Sequence, residues 1–93
     1  MEISKVLTLS TAHISQKSAE LLDKETEKPT LDLPVYNKSN YGWFIYIPQN
    51  INIINNLPED IHRLLLIAKD LNCDILCLDA DGETISWIPL YSW

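Results

Sequence analysis

The stretch Tyr41-Gly42-Trp43-Phe44-Ile45-Tyr46-Ile47, which Pro48 follows, carries the strongest structural signal in this chain. An unbroken run of aromatic and β-branched residues is typical of a β-strand, and proline ends it because proline has no amide hydrogen to give to a sheet. Alternate side chains of a strand point to opposite faces. One face would carry Tyr41, Trp43 and Ile45, and the other Gly42, Phe44 and Tyr46. Because both faces are apolar, we predict an interior strand, or one whose outer face meets a partner.

A second strand is predicted directly before it. The segment 31–36 (Leu-Asp-Leu-Pro-Val-Tyr) is short and extended, and the polar segment 37–40 (Asn-Lys-Ser-Asn) is typical of a turn. Pro34 restricts this strand to the edge of a sheet or makes it a strand start. Together the two runs predict a β-hairpin.

The remaining elements alternate between strands and helices. Residues 5–9 form a short run of strand formers, and a helical pattern from 16 to about 24 follows Ser15, a competent N-cap. A second helix is predicted from a cap at Asn56, with Pro58 in its first turn, to about Asn72. The apolar run 74–79 predicts a strand, 81–82 (Asp-Gly) a turn, and 84–88 a returning strand.

This order predicts one α+β domain over residues 1–93. We expect two helices on one face of a four- to five-stranded, mostly antiparallel sheet, in the order β-α-β-β-α-β-β. The first six elements match the ferredoxin-like split β-α-β order, and the seventh would be an added C-terminal strand.

The composition excludes several classes of protein. The chain has 93 residues, and its 13 acidic and 7 basic side chains leave a formal net charge of −6. A duplex-binding module needs a basic face, so we expect no direct nucleic-acid binding. No apolar run approaches the ~20 residues that span a membrane, and the start is not typical of a signal peptide. With only Gly42 and Gly82, the chain holds too few glycines for a P-loop or a dinucleotide loop.

Cys73 and Cys77 are too far apart along a predicted strand for a disulfide, whose Cα atoms lie within about 7 Å of each other. We therefore expect two reduced, buried thiols in a cytoplasmic protein. His13 and His62 are further potential zinc ligands, but the spacing of these side chains is not that of a metal site. We predict no metal and no other cofactor.

Two polar clusters could carry chemistry. The segment 79–82 (Asp-Ala-Asp-Gly) ends a buried strand, as the nucleophilic aspartate does in phosphotransferases of the haloacid dehalogenase type, and its carboxylates could bind Mg²⁺ or Ca²⁺. That chemistry needs further elements, and only eleven residues follow Gly82. The alternative, which we favour, is a tight turn whose aspartates accept hydrogen bonds from their own backbone.

The second cluster is Ser10, Thr11 and His13, just after the first strand, where enzymes often place nucleophiles. In an enzyme, the catalytic residues of a small hydrolase or transferase would be Ser10, His13, Asp79 and Asp81. The other interpretation is that the hydroxyls cap a helix and that His13 is packed or solvated at the same corner. No third orienting group can be named, so we predict no catalytic site.

The aromatic side chains suggest binding instead. The candidate interaction residues are Tyr41, Trp43, Tyr46, Trp87, Tyr91 and Trp93. Residues 89–93 could fold over the outer face of the central strand, or that face could form a homodimer or partner surface, since aromatic anchors dominate interface energy. The acidic segments could also imitate the phosphate row of a nucleic acid toward a basic partner.

Several stretches together resemble a known family. They are 6–14 (Val-Leu-Thr-Leu-Ser-Thr-Ala-His-Ile), 33–36 (Leu-Pro-Val-Tyr), 41–48, 71–82 and 88–93 (Ile-Pro-Leu-Tyr-Ser-Trp). The chain resembles a family of short uncharacterised bacterial proteins that are carried on plasmids, prophages and integrative elements and are classed as a domain of unknown function. The resemblance implies a cytoplasmic bacterial or phage setting and an accessory role, and it provides no catalytic residues.

From these observations we expect a small non-enzymatic protein-binding accessory protein of a bacterial mobile element or phage. Its partner would be a second copy or another protein. An inhibitor of a host defence system, such as an anti-CRISPR protein, is one concrete version. The alternative is the small hydrolase or transferase described above.

Overall fold

The computed structural model describes residues 3–39, 42–54 and 56–93. These residues form four strands and two α-helices in the order β-α-β-β-α-β, which confirms the α+β class. Their bounds are β1 Val6–Ser10, α1 Gln16–Glu27, β2 Val35–Asn37, β3 Gly42–Tyr46, α2 Glu59–Asp70 and β4 Ile75–Asp79. Short 3₁₀ helices cover Thr11–His13 and Ile51–Ile53. The candidate interaction residue Tyr41 lies outside the described residues.

The strands form one mixed sheet in the spatial order β1-β4-β3-β2. β2 and β3 pair antiparallel, as do β3 and β4, whereas β1 and β4 run parallel. The predicted hairpin, the interior position of β3 and the edge position of the strand after Pro34 are confirmed. A split β-α-β arrangement would place one strand between β1 and β2, but here both β4 and β3 lie between them.

The central position of β4 follows from its composition. Its apolar residues Ile75, Leu76, Cys77 and Leu78 are all buried, on both faces of the sheet. A strand without a polar face is stable only where neighbours cover both of its edges and faces. β1 carries exposed Val6 and Thr8 and therefore tolerates the sheet edge.

The added strand predicted at 84–88 is not formed among the described residues, and this expectation is corrected. The chain turns after β4, and the Glu83 carbonyl oxygen accepts a hydrogen bond from Ser10 N–H at 2.9 Å. A turn then joins the Ile85 carbonyl oxygen to Ile88 N–H at 3.1 Å, and the Ile88 side chain enters the core. Ile88 is therefore buried in the core with residues of both helices, and among the described residues the segment 84–88 does not form the hydrogen bonds of a fifth strand.

Both helices pack on the same face of the sheet, as predicted. α1 buries Ala19 and Leu22, and α2 buries Ile61, Leu64, Leu65 and Ala68. These side chains form one core with residues that share one face of the strands, namely Leu9, Val35, Trp43, Ile45, Leu76 and Leu78. The pairing register places these strand residues opposite each other.

A buried carboxylate joins the beginnings of the two helices. Ser15 caps α1 as predicted, because its Oγ accepts a hydrogen bond from Ser18 N–H at 3.2 Å. Asp60, in the first turn of α2, accepts from Ser15 N–H at 2.8 Å and from the Ser18 hydroxyl at 2.7 Å. The predicted cap at Asn56 is wrong, because α2 begins at Glu59 after Pro58 and Asn56 has a φ of 63° outside the helix.

The polar loop after α1 is organised by Glu25. Its buried carboxylate accepts hydrogen bonds from Thr30 N–H at 3.1 Å and from Leu31 N–H at 3.0 Å, and also from the Thr30 hydroxyl. Burial alone would raise the pKa of this carboxyl, but the bonds from Thr30 and Leu31 outweigh it and lower the pKa.

The two glycines allow close backbone approach. A β-carbon at position 42 would collide with the Leu78 carbonyl oxygen in the neighbouring strand, and one at position 82 would lie 2.6 Å from the Leu9 carbonyl group. Gly42 therefore permits pairing of β3 with β4. Gly82 brings the residues after β4 (80–93, which we call the C-terminal segment) against β1.

In the part of the chain that the structure describes, neither helix has the length and hydropathy needed to cross a bilayer.

Replacement of Glu25 by glutamine is expected to lower the free energy of unfolding at neutral pH by about 1–3 kcal/mol, because charge-assisted hydrogen bonds are lost. A depressed pKa stabilises the fold above the unfolded value, near 4.5, and this contribution disappears as pH falls through the folded value. The variant should thus lose stability less steeply than the wild type between about pH 5 and pH 3. Urea unfolding at several pH values measures both effects. A wild-type slope in the variant would contradict the assignment.

Candidate binding surface

The face of the sheet opposite the helices is uncovered among the described residues. We call it the open face and define it by two rows of paired side chains. One row is Thr8, Cys77, Phe44 and Tyr36, and the other is Val6, Ile75 and Tyr46. The outer members are exposed, with 58% for Tyr36, 47% for Tyr46 and 45% for Val6. The open face therefore presents large apolar side chains to solvent.

The two tyrosines hold each other in a defined geometry. Their ring centroids are 5.5 Å apart and the ring planes make an angle of 77°, an edge-to-face contact between β2 and β3. Such aromatic pairs are favourable beyond their buried area. Ile75 and Cys77 lie in the buried middle of the face. The aromatic side chains of the open face therefore lie on its β2–β3 side, where the two tyrosines contact each other.

An ion pair closes one end of the open face. The Lys38 ammonium group contacts the Asp79 carboxylate and lies 5.7 Å from the centroid of the Phe44 ring. The hydrogen bond from Lys38, together with one from Asp81 N–H, lowers the pKa of Asp79. The same contact with Asp79 raises the pKa of Lys38. Both groups are therefore charged at neutral pH and hold the end of β4 to the turn after β2.

The candidate interaction residues are divided between the open face, the core and the C-terminal segment. Tyr46 lies on the open face. Trp43 is only 7% exposed, and its indole N–H donates to the Asp23 carboxylate at 3.0 Å, so it belongs to the core. Trp87 and Trp93 are exposed on the C-terminal segment, where Tyr91 is half-buried.

The C-terminal segment does not cover the open face in the described structure. Its Tyr91 N–H donates to the Ala12 carbonyl oxygen at 2.8 Å, and the Trp93 indole N–H donates to the Ile14 carbonyl oxygen at 2.8 Å. The segment 89–93 therefore lies against the connection between β1 and α1. The expectation that it could fold over the outer face of the central strand is corrected.

Sequence reasoning did not include Tyr36, Phe44 and Val6 among the interaction residues. The alternation in the central strand already placed Phe44 with Tyr46 on one face. Adding Tyr36 required the register of the hairpin, which pairs Tyr36 with Phe44. The contribution of Val6 depends on the strand order, for which no local sequence signal exists.

The parallel pairing of β1 and β4 brings part of the hypothetical catalytic set together. Ser10 and Asp79 are paired residues at the ends of these strands. The Ser10 hydroxyl accepts a hydrogen bond from Ala12 N–H at 3.0 Å, and Asp79 accepts one from Asp81 N–H at 2.8 Å while it contacts Lys38. Ser10 therefore acts as a helix cap, and Asp79 stabilises the turn after β4 by accepting a hydrogen bond from its backbone.

His13 has a structural environment. It is fully buried, and its Nε2 accepts a hydrogen bond from Ile85 N–H at 3.0 Å. A ring nitrogen that accepts carries no hydrogen, so the proton is on Nδ1, which donates to the Pro89 carbonyl oxygen at 3.1 Å. Both nitrogens are thus engaged by the C-terminal segment, and His13 attaches that segment to the corner after β1.

A cleft of about 570 Å³ opens beside this corner. Thr11, Asp23, Trp43 and Trp93 contribute to its lining, whereas Ser10, His13, Asp79 and Asp81, all of them described residues, do not. The side chains that would carry hydrolysis therefore do not converge on this cleft.

Cys73 and Cys77 are free and buried, as predicted. Within residues 3–39, 42–54 and 56–93, no group of three or more histidine, cysteine, aspartate or glutamate side chains is placed to hold a metal ion.

Replacement of His13 by alanine should lower the free energy of unfolding by about 2–4 kcal/mol, because it leaves a cavity and two backbone groups without partners. Chemical denaturation measures the change, and His62→Ala, at a half-buried position on α2, is the matched control. We expect that control to lie within about 1 kcal/mol of the wild type. Equal stability of the wild type and His13→Ala would contradict the structural role.

Comparison with known proteins gives one result. Residues 6–93 match the family model described as "Family of unknown function (DUF5983) C-terminal domain". The chain matches no curated protein and no solved structure. The expected resemblance to a domain of unknown function is confirmed, and the match covers the sheet, both helices and the C-terminal segment. The chain belongs to the DUF5983 family of unknown function, and its residues 6–93 correspond to the domain that this family model describes as C-terminal.

Proposed function

We propose that this domain is a non-enzymatic protein-binding module and that the open face is its contact surface. The observation that carries the proposal is the exposure of Tyr36 and Tyr46 on a sheet face that the helices leave uncovered. The hydroxyl, imidazole and carboxylate groups at the corner after β1 are engaged in caps, turns and backbone contacts. They support the stability of the fold, which favours binding over catalysis.

The physical properties of the open face fit a protein partner. Large exposed apolar patches are uncommon on a folded domain and commonly mark interaction sites, and Tyr36 and Tyr46 place two exposed rings side by side. Tyrosine is enriched at the centres of interfaces because it supplies a large apolar area and a hydroxyl with few rotatable bonds. The edge-to-face contact of Tyr36 and Tyr46 restricts both rings before binding, so less conformational entropy is lost on association.

Charge indicates the kind of partner. The net charge of −6 favours association with a basic protein through electrostatic complementarity. Nucleases are basic where they bind nucleic acid. The family resemblance implies a bacterial mobile-element or phage setting, and together with this charge it leads us to extend the proposal to an accessory protein that binds a host defence nuclease, in the manner of an anti-CRISPR protein. A cleavage assay of such a nuclease with added domain tests this extension, and undiminished cleavage at saturating domain contradicts it.

The variant Tyr36→Ser/Tyr46→Ser tests the open face. Loss of two aromatic anchors should weaken partner capture by about tenfold or more. The matched control is Trp87→Ser, because Trp87 is 69% exposed but lies on the C-terminal segment. Capture from a host lysate is quantified for the wild type and both variants, and circular dichroism checks their folding. Equal capture by the tyrosine variant, or selective loss in the control, would count against the open face.

A further inference from the structure

The backbone N–H and C=O groups of alternate residues in β1 point away from the sheet. It is an edge strand that pairs with β4 on one side. The Lys5 carbonyl oxygen accepts from Ile75 N–H at 3.2 Å on that side, whereas Ser10 N–H donates away from β4 to Glu83. Successive residues of a strand direct their backbone groups alternately to its two sides. Val6 and Thr8 therefore share the outward direction of Ser10.

This outer edge is accessible. Val6 and Thr8 are exposed, and among the described residues neither makes a backbone hydrogen bond on the outer side. Unpaired edge groups are a template for another strand unless lysine, proline, a bulge or short length protects them. β1 has the sequence Val-Leu-Thr-Leu-Ser, without lysine or proline, and the ammonium group of Lys5, which precedes it, is engaged by the Leu71 carbonyl oxygen. At the opposite edge, β2 begins directly after Pro34, and its Val35 is buried.

Acidic charge lies at one end of this edge. Glu83 is exposed, and its carbonyl group contacts Ser10 at the end of β1. Asp81, in the adjoining turn, is also exposed. A strand that extends along Val6–Thr8 would end beside these carboxylates, so a basic residue at that end is favoured. A second copy of this chain would bring another net charge of −6 and is disfavoured.

We propose that the domain binds its partner by strand addition, in which an extended basic segment of the partner pairs with Val6–Thr8 at the outer edge of β1. This inference rests on the proposed protein-binding function and specifies its geometry. Backbone hydrogen bonds to Val6 and Thr8 supply affinity, and alternate side chains of the added strand supply specificity. The added strand lies about 4.8 Å beyond β1, so these side chains extend the open face past Val6 and Thr8.

Amide hydrogen exchange on the full chain tests the pairing directly. The probe is the capped peptide acetyl-Lys-Val-Thr-Val-Thr-Val-Lys-amide. At saturation, exchange of the Val6 and Thr8 amides should slow by at least about tenfold, because each gains a hydrogen-bond acceptor. The amides of Leu7 and Leu9, which point toward β4, should change little. Unchanged exchange at Val6 and Thr8 at millimolar peptide would overturn the proposal.

Matched peptides and one variant of the domain separate the contribution of backbone hydrogen bonds from that of charge. N-methylation of every valine and threonine amide of the peptide, which blocks both of its edges, and replacement of its lysines by glutamate should each weaken binding by about tenfold. Thr8→Pro removes an outward amide hydrogen without removing a bond to β4 and should have a similar effect. If Thr8→Pro does not fold, the N-methylated peptide gives the same test from the partner's side. Equal binding of the N-methylated and unmodified peptides would overturn strand addition.

Two further results distinguish this proposal from the proposed function. If Tyr36→Ser/Tyr46→Ser loses partner capture while folded Thr8→Pro retains it, the open face binds the partner and strand addition is wrong. Protection of Val6 and Thr8 without peptide, in a chain that light scattering shows to be dimeric, would make a second copy the occupant and would also overturn the proposal.

Discussion

The burial of β4 on both faces of the sheet is the constraint on which the structure depends. Its run Ile-Leu-Cys-Leu cannot lie at an edge or face water without exposing apolar surface. The helices cover one face, and the flanking strands cover both edges. The other face of β4 lies between side chains of β1 and β3 alone. That arrangement leaves large apolar groups at the margin of the face, including Tyr46 and Val6.

Buried polar groups determine the positions of segments that the apolar core alone does not fix. Asp60 sets the relative position of the two helices through Ser15 and Ser18, and His13 determines the path of the C-terminal segment. Each is buried and engaged by more than one hydrogen bond, as buried polar groups require. His13, a catalytic candidate in the sequence, thus connects two segments of the fold and does not line the cleft beside it.

Much of the fold follows from local patterns in the sequence, and the exceptions have physical causes. The helix after Ser15, the hairpin at Pro34 and the interior strand of Gly42–Tyr46 follow from capping, turn and strand preferences. The strand order depends on competition between strands for the centre of the sheet, which no single segment encodes. The C-terminal segment has strand composition, but tertiary burial of Ile88 and its contacts with His13 override that preference. Likewise, tryptophan is a common interface anchor, but Trp43 is buried in the core because it lies on the face of the sheet that the helices cover.

The parallel pairing of β1 with β4 has a consequence for biosynthesis. Val6 and its partner Ile75 are sixty-nine positions apart, as are Lys5 and Asp74. Such pairing requires closure of a loop that contains every other strand and both helices, a costly step in chain entropy. On the ribosome, the first strand has no partner until β4 has left the exit tunnel. While the intervening elements are synthesised, β1 is therefore an apolar segment without its strand partner, a state that is prone to aggregation.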